Sequence, residues 1–333
     1  MTPDQTIARA TMTSVQPLRA VEGGRVTILG SGFRFDPLPE VTIDDTPARV
    51  SFASSSRLVV VVPGELEGGQ AAIKVSGVPG ETAYVSIGAQ WATGLHQVDN
   101  PVFGANGDLF VTYSGSRGQE APVSVFRVTE RGTREPFGSG IVNATSMALG
   151  PDGRLYVSSR FEGAVYRLDE SGAHTQVASD LGVACGLAFD QDGSMYVGDR
   201  SGSIFRVREG RATVFATLPP SIAAFHLAMS AEQELYVTAP TLNPYDHISR
   251  IDRQGQIHTI ASPLGRPQGL AFAPDGTLHV VEALAGASGV YRFSSLDTEP
   301  ELIVSAAMLV GLAFGPQGEL VVTSNETAYR FEA

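Results

Sequence analysis

Cysteine and long apolar runs are almost missing from this chain of 333 residues. Cys185 is the single cysteine, so no disulfide can form within the chain and the fold must depend on its hydrophobic core. No stretch approaches the roughly 20 apolar residues that a membrane helix needs. The N-terminal residues MTPDQTIARATMTSV carry no signal-peptide pattern. We therefore expect no transmembrane segment, and a cytoplasmic protein as written or an extracellular or periplasmic one if a signal was removed.

Positive charge is scarce as well. The formal net charge is −12, and Lys74 is the only lysine. A nucleic-acid-binding surface needs a basic stripe, so we expect no nucleic-acid partner. A hydrophobic fraction of 43% with 37 Gly and 20 Pro is typical of a soluble β protein that is rich in turns. The length allows two domains, or one large β domain with an appendage.

One phrase of about a dozen residues recurs six times in the second part of the chain. Its copies begin at Asn100, Ser146, Gly186, His226, Gly269 and Gly311. Two of them read GLAFDQDGSMYVG and GLAFAPDGTLHVV. A period of about 40–45 residues made of short strands is the signature of a β-propeller with one blade per repeat. We therefore predict an all-β fold with a six-bladed β-propeller over residues 89–333.

Each repeat is interpreted as four antiparallel strands. An apolar run forms the inner strand, a Pro-Asp-Gly type of turn follows, and an alternating run forms the second strand. Asp in such a turn can hydrogen-bond its own backbone, and Gly tolerates positive φ. The last repeat ends without a fourth strand, whereas residues 89–93 (AQWAT) resemble one. We predict that this N-terminal strand closes the ring and removes an open sheet edge.

Residues 11–88 do not share the repeat, and they follow a flexible N-terminus predicted over residues 1–10. They contain short predicted strands and the phrase GGRVTILGSGF at positions 23–33. With Pro17 upstream and PARV at 47–50 downstream, this phrase closely resembles the IPT/TIG domain, an immunoglobulin-like β-sandwich. No predicted helix follows Gly30 and Gly32, so a phosphate-binding glycine loop is not expected. The resemblance implies a spacer, docking or adhesion module without chemistry of its own.

The repeats are similar to those of NHL-type and SMP-30/gluconolactonase-type six-bladed propellers. The second resemblance implies a divalent metal, commonly calcium, held by residues just before the inner strands, where it polarises a lactone or ester carbonyl. The residues at the matching positions are Asp99, Thr145, Cys185, Phe225, Gln268 and Val310. Only Asp99 matches in charge, and calcium needs several oxygen ligands. Asp99 is thus the one candidate calcium ligand.

The loops between second and third strands are predicted to open on that same face, together with the longer loop at 241–247 and with Arg117. The candidate ligand-binding residues of this face are Asp99, Tyr113, Arg160, Asp199, Arg200, His226, Tyr245, Glu282 and Asn325. Its three carboxylates are an alternative metal site, but we expect Arg160 and Arg200 to pair with them. An Arg–carboxylate ring would suit a carboxylate-bearing or sugar-like ligand. His226 is expected to be packed and hydrogen-bonded, and Cys185 to be a small buried residue.

The sequence predicts a non-catalytic binding or scaffolding protein. It would recognise a small-molecule ligand or a protein on the propeller face, with the IPT/TIG segment as a docking module. The alternative is a divergent metal-dependent lactone or ester hydrolase that keeps Asp99 and recruits Asp199 or Glu282. Phe225 and Gln268 favour the binding module, because phenylalanine cannot ligate a metal and an amide is a weak substitute for a carboxylate. The sequence contains neither a G-x-S-x-G nor an H-E-x-x-H motif.

Overall fold

The computed structural model describes residues 9–78, 80, 82–260, 264–284 and 286–332. Of the N-terminus predicted to be flexible, residues 1–8 lie outside the described residues. Every regular secondary-structure element within these ranges is a β-strand, which confirms the all-β class. The same ranges contain no helix whose length and apolar composition would let it span a membrane. The chain divides into an N-terminal unit, Met1–Ala89 with Leu302–Ala307, and a propeller unit, Gln90–Glu301 with Met308–Ala333.

The N-terminal unit is built from short strands in two sheets. Its strands are Thr11–Gln16 (β1), Arg19–Ala20 (β2), Arg25–Ser31 (β3), Val41–Ile43 (β4), Thr46–Ala53 (β5), Arg57–Val61 (β6), Gly69–Val75 (β7) and Ala83–Ile87 (β8). One antiparallel sheet has the order β1-β3-β6-β5. The other joins β5, β4, β7 and β8 antiparallel, with β2 parallel to β8. Strand β5 belongs to both sheets, so the two layers form a β-sandwich.

Alternating apolar residues build the core between these two sheets. On β3, Val26 and Ile28 are buried whereas Arg25 is exposed. Ile73 on β7 and Val85 on β8 belong to the same buried cluster. Successive side chains of a strand point to opposite faces, so every second residue of β3 faces the core. Burial of each such aliphatic side chain contributes about 1.5–3 kcal/mol.

Ser305 holds a distant part of the chain in the N-terminal unit. Its carbonyl accepts a hydrogen bond from Val21 N at 3.0 Å, and its hydroxyl accepts one from Arg25 N at 2.7 Å. Ala20 is the parallel ladder partner of Ser305. A Cβ on Gly24 would overlap the Ser305 carbonyl, so the absence of a side chain at Gly24 permits this approach. The bonds to Ser305 explain why Leu302–Ala307 belongs to the N-terminal unit.

The strands after residue 88 follow the repeats. Strand β9 is Ala89–Thr93; the first three repeats contain Val102–Phe103 (β10), Leu109–Thr112 (β11), Val125–Val128 (β12), Arg134–Gly138 (β13), Ala144–Leu149 (β14), Leu155–Ser159 (β15), Ala164–Leu168 (β16), His174–Ala178 (β17), Ala184–Phe189 (β18), Met195–Asp199 (β19), Ser203–Arg208 (β20) and Arg211–Thr217 (β21). The last three contain His226–Met229 (β22), Leu235–Thr238 (β23), Ser249–Ile251 (β24), Ile257–Thr259 (β25), Pro267–Phe272 (β26), Leu278–Glu282 (β27), Gly289–Phe293 (β28), Glu301–Ser305 (β29), Leu309–Phe314 (β30), Leu320–Ser324 (β31) and Thr327–Phe331 (β32).

The described residues form five separate sheets of four strands, where six were predicted. Their orders are β10-β11-β12-β13, β14-β15-β16-β17, β18-β19-β20-β21, β22-β23-β24-β25 and β30-β31-β32-β9. The fifth repeat contributes the antiparallel strands β26, β27 and β28 to the propeller unit. Its remaining strand, β29, lies from Leu302 onward in the N-terminal unit. The prediction of six separate four-stranded sheets was wrong. The fourth strand of the fifth repeat contains Ser305, whose hydrogen bonds come from Val21 N and Arg25 N, outside the repeats.

The Pro-Asp-Gly turns form as the sequence predicts. Gly153 and Gly276 have φ values of 71° and 83°. Asp152 Oδ1 accepts a hydrogen bond from Arg154 N at 3.1 Å. Asp275 Oδ1 accepts one from Thr277 N at 2.9 Å. Each turn therefore satisfies its own amides and reverses the chain between the inner and the second strand.

The inner strands of the repeats contact one another in the closed cycle β10-β14-β18-β22-β26-β30 and back to β10. They approach so closely at their starts that a side chain is excluded at several positions. A Cβ on Gly186 would lie 2.6 Å from the Phe225 carbonyl oxygen. A Cβ on Gly269 would lie 2.7 Å from Gly311 Cα and would overlap Asn100 Oδ1. The Gly that opens the GLAF phrase is therefore required by packing at the axis.

Gly269→Ala is expected to lower the free energy of unfolding of the propeller unit by about 1–3 kcal/mol, because the added methyl group overpacks the axis. Trp91 is the only tryptophan and belongs to a core cluster of this unit, so its emission during urea unfolding measures the effect. Gly64→Ala is the control, since the nearest atom to its added Cβ is the flexible carboxylate of Glu22 at 3.3 Å. A urea midpoint for Gly269→Ala equal to that of the unaltered protein would contradict the packing argument.

Candidate functional site

The end of each second strand lies beside the start of the inner strand of its own repeat. The antiparallel registers pair Ala144 with Ser159 and Ala184 with Asp199, and the other repeats follow the same scheme. The residue that follows each second strand therefore lies at the end of the unit where the inner strands begin. We call these six residues the mouth ring: Tyr113, Arg160, Arg200, Ala239, Ala283 and Asn325.

Asp199 uses its carboxylate to fix the loops of the third repeat. Its Oδ1 accepts a hydrogen bond from Val183 N at 2.8 Å, and Ser201 Oγ donates to its Oδ2. Ser159, at the equivalent position of the second repeat, ties the same loop with a hydroxyl that donates to the Val142 carbonyl at 2.5 Å. A carboxylate and a hydroxyl thus perform one structural task in neighbouring repeats.

Glu282 ends the second strand of the fifth repeat and binds backbone amides in the same way. Its Oε1 accepts hydrogen bonds from Leu284 N at 2.6 Å and from Arg266 N at 2.8 Å. Gly265 N donates to its Oε2. Glu282 is buried, and both of its oxygens are occupied by donors of the protein itself.

Among the described residues, no group of three or more His, Cys, Asp or Glu side chains is placed to hold a metal ion. Asp99, Asp199 and Glu282 therefore do not form the alternative metal site that the sequence raised. Phe225, at a position where the resemblance implies a ligand, is wholly buried. The side chains present do not fit a calcium ion, which needs about six to eight oxygen ligands.

Asp99 and His226 meet at the axis. Asp99 lies three residues before β10 and His226 opens β22, and these two strands are opposite each other in the cycle of inner strands. His226 Nδ1 lies 2.6 Å from Asp99 Oδ1, which also accepts a hydrogen bond from Asn100 N at 2.7 Å. The two side chains are 0% and 2% exposed. His226 is thus packed and hydrogen-bonded, as predicted, and it bridges two opposite repeats.

Asn100 extends this polar contact to other repeats, and Gln97 supports it from within the first repeat. Asn100 Nδ2 donates to the Leu270 carbonyl at 2.8 Å, and its Oδ1 accepts from Leu312 N at 3.0 Å. Gln97 Nε2 donates to the Asp99 carbonyl at 2.6 Å. Side chains from the first repeat therefore reach the inner strands of the fourth, fifth and sixth repeats.

Cys185 is buried next to this polar centre, as predicted for a small core residue. Burial raises the pKa of its thiol to about 11, and the nearby Asp99 carboxylate acts in the same direction. Arg160 and Arg200 oppose that rise, so both guanidinium groups lie within electrostatic reach of the thiol. The thiol is accordingly protonated at neutral pH.

Arg160 and Arg200 occupy successive positions of the mouth ring. The pairing with carboxylates that we expected is not formed: among the described residues neither arginine enters an ion pair, since Asp199 binds backbone amides and Asp99 lies in the core. Burial lowers the pKa of the Arg160 guanidinium, and the positive charges of Arg200 and Arg117 lower it further. Arg200 and Arg117 are therefore each within electrostatic reach of Arg160.

The other candidate residues are spread around the same face. Tyr113 contacts His96 edge to face, with 5.8 Å between the ring centroids. Burial lowers the pKa of His96, and Arg160 contributes to this effect. Asn325 Nδ2 donates to the Gln97 carbonyl at 2.8 Å. Tyr245 is 61% exposed in the loop after the fourth repeat's second strand.

Arg117 and His96 belong to this site as well. The sequence analysis placed Arg117 on this face without counting it among the candidate ligand-binding residues, and it did not include His96. Both lie outside the repeated phrase, in segments whose position relative to Arg160 depends on how neighbouring repeats pack. The signal that could have found the site is the position directly after each second strand, where Arg160 and Arg200 recur at equal spacing.

Residues 10–89 match the family model of the IPT/TIG domain. This match covers almost the same residues as the resemblance noted in the sequence, and it includes the β-sandwich strands β1 to β8. No curated protein matches the chain.

Solved structures resemble this chain over most of its length. A gluconolactonase from Xanthomonas campestris matches with a TM-score of 0.61 and 17% identity, over 88% of this chain and 97% of that one. An auxiliary nutrient binding protein from Bacteroides ovatus matches with a TM-score of 0.56 and 13% identity, over 97% and 98%. A virginiamycin B lyase from Staphylococcus aureus matches with a TM-score of 0.54 and 15% identity, over 89% and 95%. At these identities the likeness shows the fold alone, a β-propeller arrangement.

His226→Ala is expected to lower the free energy of unfolding by about 3–5 kcal/mol, because it leaves the buried Asp99 carboxylate without its main side-chain contact. His258→Ala is the matched control: His258 forms another Asp–His contact, 3.4 Å from Asp252, at the surface. Exposed pairs of this kind contribute little, so the control should unfold at nearly the unaltered urea concentration. Equal midpoints for the two variants, followed by Trp91 emission, would show that the axial contact is not a major source of stability.

The Cys185 thiol is expected to react slowly with Ellman's reagent at pH 8 in the folded protein, because only the thiolate attacks and a pKa of about 11 keeps the thiol protonated. Unfolding in guanidinium should release its full reactivity, and Cys185→Ser gives the background. In the unfolded chain the thiol ionises near pH 8.5. Because the folded protein keeps the proton to higher pH, the free energy of unfolding should fall as the pH rises above that value. Equally fast reaction of folded and unfolded protein would contradict the assignment.

Proposed function

We propose that this protein is a non-catalytic binding protein whose propeller unit holds a small-molecule ligand at the mouth ring, with the IPT/TIG domain as a docking module. One observation carries the proposal: Asp199 and Glu282, which end their second strands, are occupied by backbone amides, whereas the side chains of Arg160 and Arg200 donate no hydrogen bond to any residue that the structure describes. Hydrogen-bond donors that the fold does not use are what a binding site needs to orient a ligand.

The similar structures support a binding role at the level of the fold. The Bacteroides ovatus structure is named an auxiliary nutrient binding protein, and its match covers nearly the whole of both chains. The alternative, a metal-dependent lactone or ester hydrolase, draws support from the gluconolactonase structure. It would require Asp99 to leave His226 and to be joined by further oxygen ligands, for which the described residues offer no group.

Our proposal for the propeller unit goes beyond the five separate four-stranded sheets. We propose that β9 closes the ring and that the propeller is of the NHL or SMP-30 type. The proposed domain limits are residues 11–88 and 89–333. The closed cycle of inner strands and the sheet order ending in β32-β9 support this arrangement.

A thermal-shift screen against a library of sugars, carboxylates, phosphates and neutral metabolites tests the proposal. A compound that binds only the folded state must raise the melting temperature, by an amount equivalent to about 2.7 kcal/mol at a concentration of 100 Kd. Ala283→Trp, which places bulk at the mouth ring, should abolish the shift. Ala231→Trp should preserve it, because Ala231 lies in the exposed turn between β22 and β23, at the opposite end of the strands.

The same assay separates the two candidate functions. A ligand shift that Ala283→Trp removes, unchanged by EDTA, supports the binding protein. A calcium-dependent rise in melting temperature that Asp99→Ala removes would favour the hydrolase. If no compound shifts the unaltered protein, or if Ala283→Trp and Ala231→Trp respond alike, the mouth ring is not a binding site.

A further inference from the structure

We infer that the ligand of the mouth ring carries an oxyanion, a carboxylate or a phosphate, which Arg117, Arg160 and Arg200 bind together. The inference rests on the proposed function and deepens it by naming the chemical class of the ligand. It follows from where the fold places these arginines, from what surrounds them, and from the geometry of the guanidinium group.

Arg160 and Arg200 hold equivalent places in neighbouring repeats, directly after β15 and β19. The backbone at each place is fixed. Glu162 N donates to Ser159 Oγ at 3.1 Å beside Arg160. The Arg200 carbonyl accepts a hydrogen bond from Ser221 N at 3.0 Å. The backbone that carries the two arginines is thus held in place on one side of the mouth ring.

Arg117 is brought to the same side by a loop that Asn143 holds. Asn143 Nδ2 donates to the Ser116 carbonyl at 2.9 Å, and its Oδ1 accepts a hydrogen bond from Gly118 N at 2.7 Å. A Cβ on Gly118 would lie 2.9 Å from the ring of Phe161, the residue after Arg160. The loop that carries Arg117 therefore packs against the turn that carries Arg160.

No ion pair joins Arg117, Arg160 or Arg200 to a carboxylate in the part of the chain that the structure describes. Asp199, which directly precedes Arg200, is bound to Val183 N. The pKa of the Arg160 guanidinium is lowered by burial and by the charges of the other two arginines. The protein has a net charge of −12, so carboxylates are plentiful elsewhere on the chain. Three neighbouring like charges repel one another, and burial of Arg160 strengthens the repulsion. An oxyanion bound between them would remove this electrostatic cost.

The chemistry of arginine selects the oxyanion over other ligands. A guanidinium group is always a donor and never an acceptor, and its planar fork matches the oxygens of a carboxylate or phosphate. It cannot bind a metal cation, and its hydrogen bond to the neutral hydroxyl oxygen of a sugar is weaker than its hydrogen bond to an ionised oxygen. Tyr113 and His96 lie beside Arg160 as an aromatic pair, which offers a surface for the apolar body of the ligand.

The inference is tested by measuring the melting temperature of the protein with inorganic phosphate, with succinate and with glucose. Sodium chloride keeps the ionic strength the same in all three. The variants are Arg117→Gln and Arg200→Gln, whose side chains are exposed, and Arg160→Lys, which keeps the charge of the part-buried side chain but loses the fork. Arg211→Gln is the matched control, since Arg211 is an exposed arginine on the outer strand β21. Calorimetric titration then gives the dissociation constants.

We expect phosphate, succinate or both to raise the melting temperature, and we expect the Arg211→Gln variant to keep this rise. Arg117→Gln, Arg160→Lys and Arg200→Gln should each weaken binding by about ten- to hundredfold, since each removes hydrogen bonds to a charged group. The comparison of phosphate with succinate identifies the source of the oxyanion. No rise with either anion, or an equal rise in every variant, overturns the inference. If glucose or another neutral compound binds and Ala283→Trp blocks it, the proposed function stands and only the oxyanion class is rejected.

Discussion

The close approach of the inner strands at the axis is the constraint on which the propeller unit depends. Where these strands begin, the backbone of one repeat lies against the backbone of the next, and Gly186 and Gly269 are needed because no Cβ fits. The space that glycine leaves is used by the larger residues at the same position of other repeats. Asn100 bonds to the Leu270 carbonyl and to Leu312 N, and His226 bonds to Asp99. Glycines and polar side chains are therefore complementary parts of one packing arrangement.

A second arrangement surrounds the first at the ends of the second strands. The last residue of each second strand is polar and holds a loop, as Asp199 and Glu282 do with backbone amides. The next residue along the chain belongs to the mouth ring and has no such task in Arg160 and Arg200. One step along the backbone thus separates a side chain that the fold needs from one that it leaves available. In the function that we propose, stability and recognition would occupy adjacent positions of the same repeat without competing for the same groups.

The all-β class and the inner and second strands could be predicted from the sequence because each is encoded locally. The alternation of apolar residues recurs along the copies, the Pro-Asp-Gly turn stands in the second and the fifth, and the turn bonds at Asp152 and Asp275 form within two residues. The fate of the fourth strand of the fifth repeat could not be predicted, because it depends on hydrogen bonds between Ser305 and residues nearly 300 positions earlier.

The candidate site was predicted less completely than the fold, for a related reason. Charge alone suggested that Arg160 and Arg200 would pair with Asp199 and Glu282. A carboxylate can also accept hydrogen bonds from backbone amides, and a sequence does not show which amides a loop will turn towards it. The bond between His226 and Asp99 joins residues 127 positions apart, and it exists only because the ring places their strands opposite each other.

The position of Leu302–Ala307 has a consequence for how the two units can be separated. The chain crosses from one unit to the other three times: after Ala89, after Glu301 and after Ala307. A fragment that ends at Ala89 would therefore lack the segment that binds Val21 N and Arg25 N through Ser305. For the same reason the first 89 residues are not a cassette that recombination could exchange freely. A replacement domain would have to provide new donors for Ser305, or the propeller would carry an unpaired segment in its place.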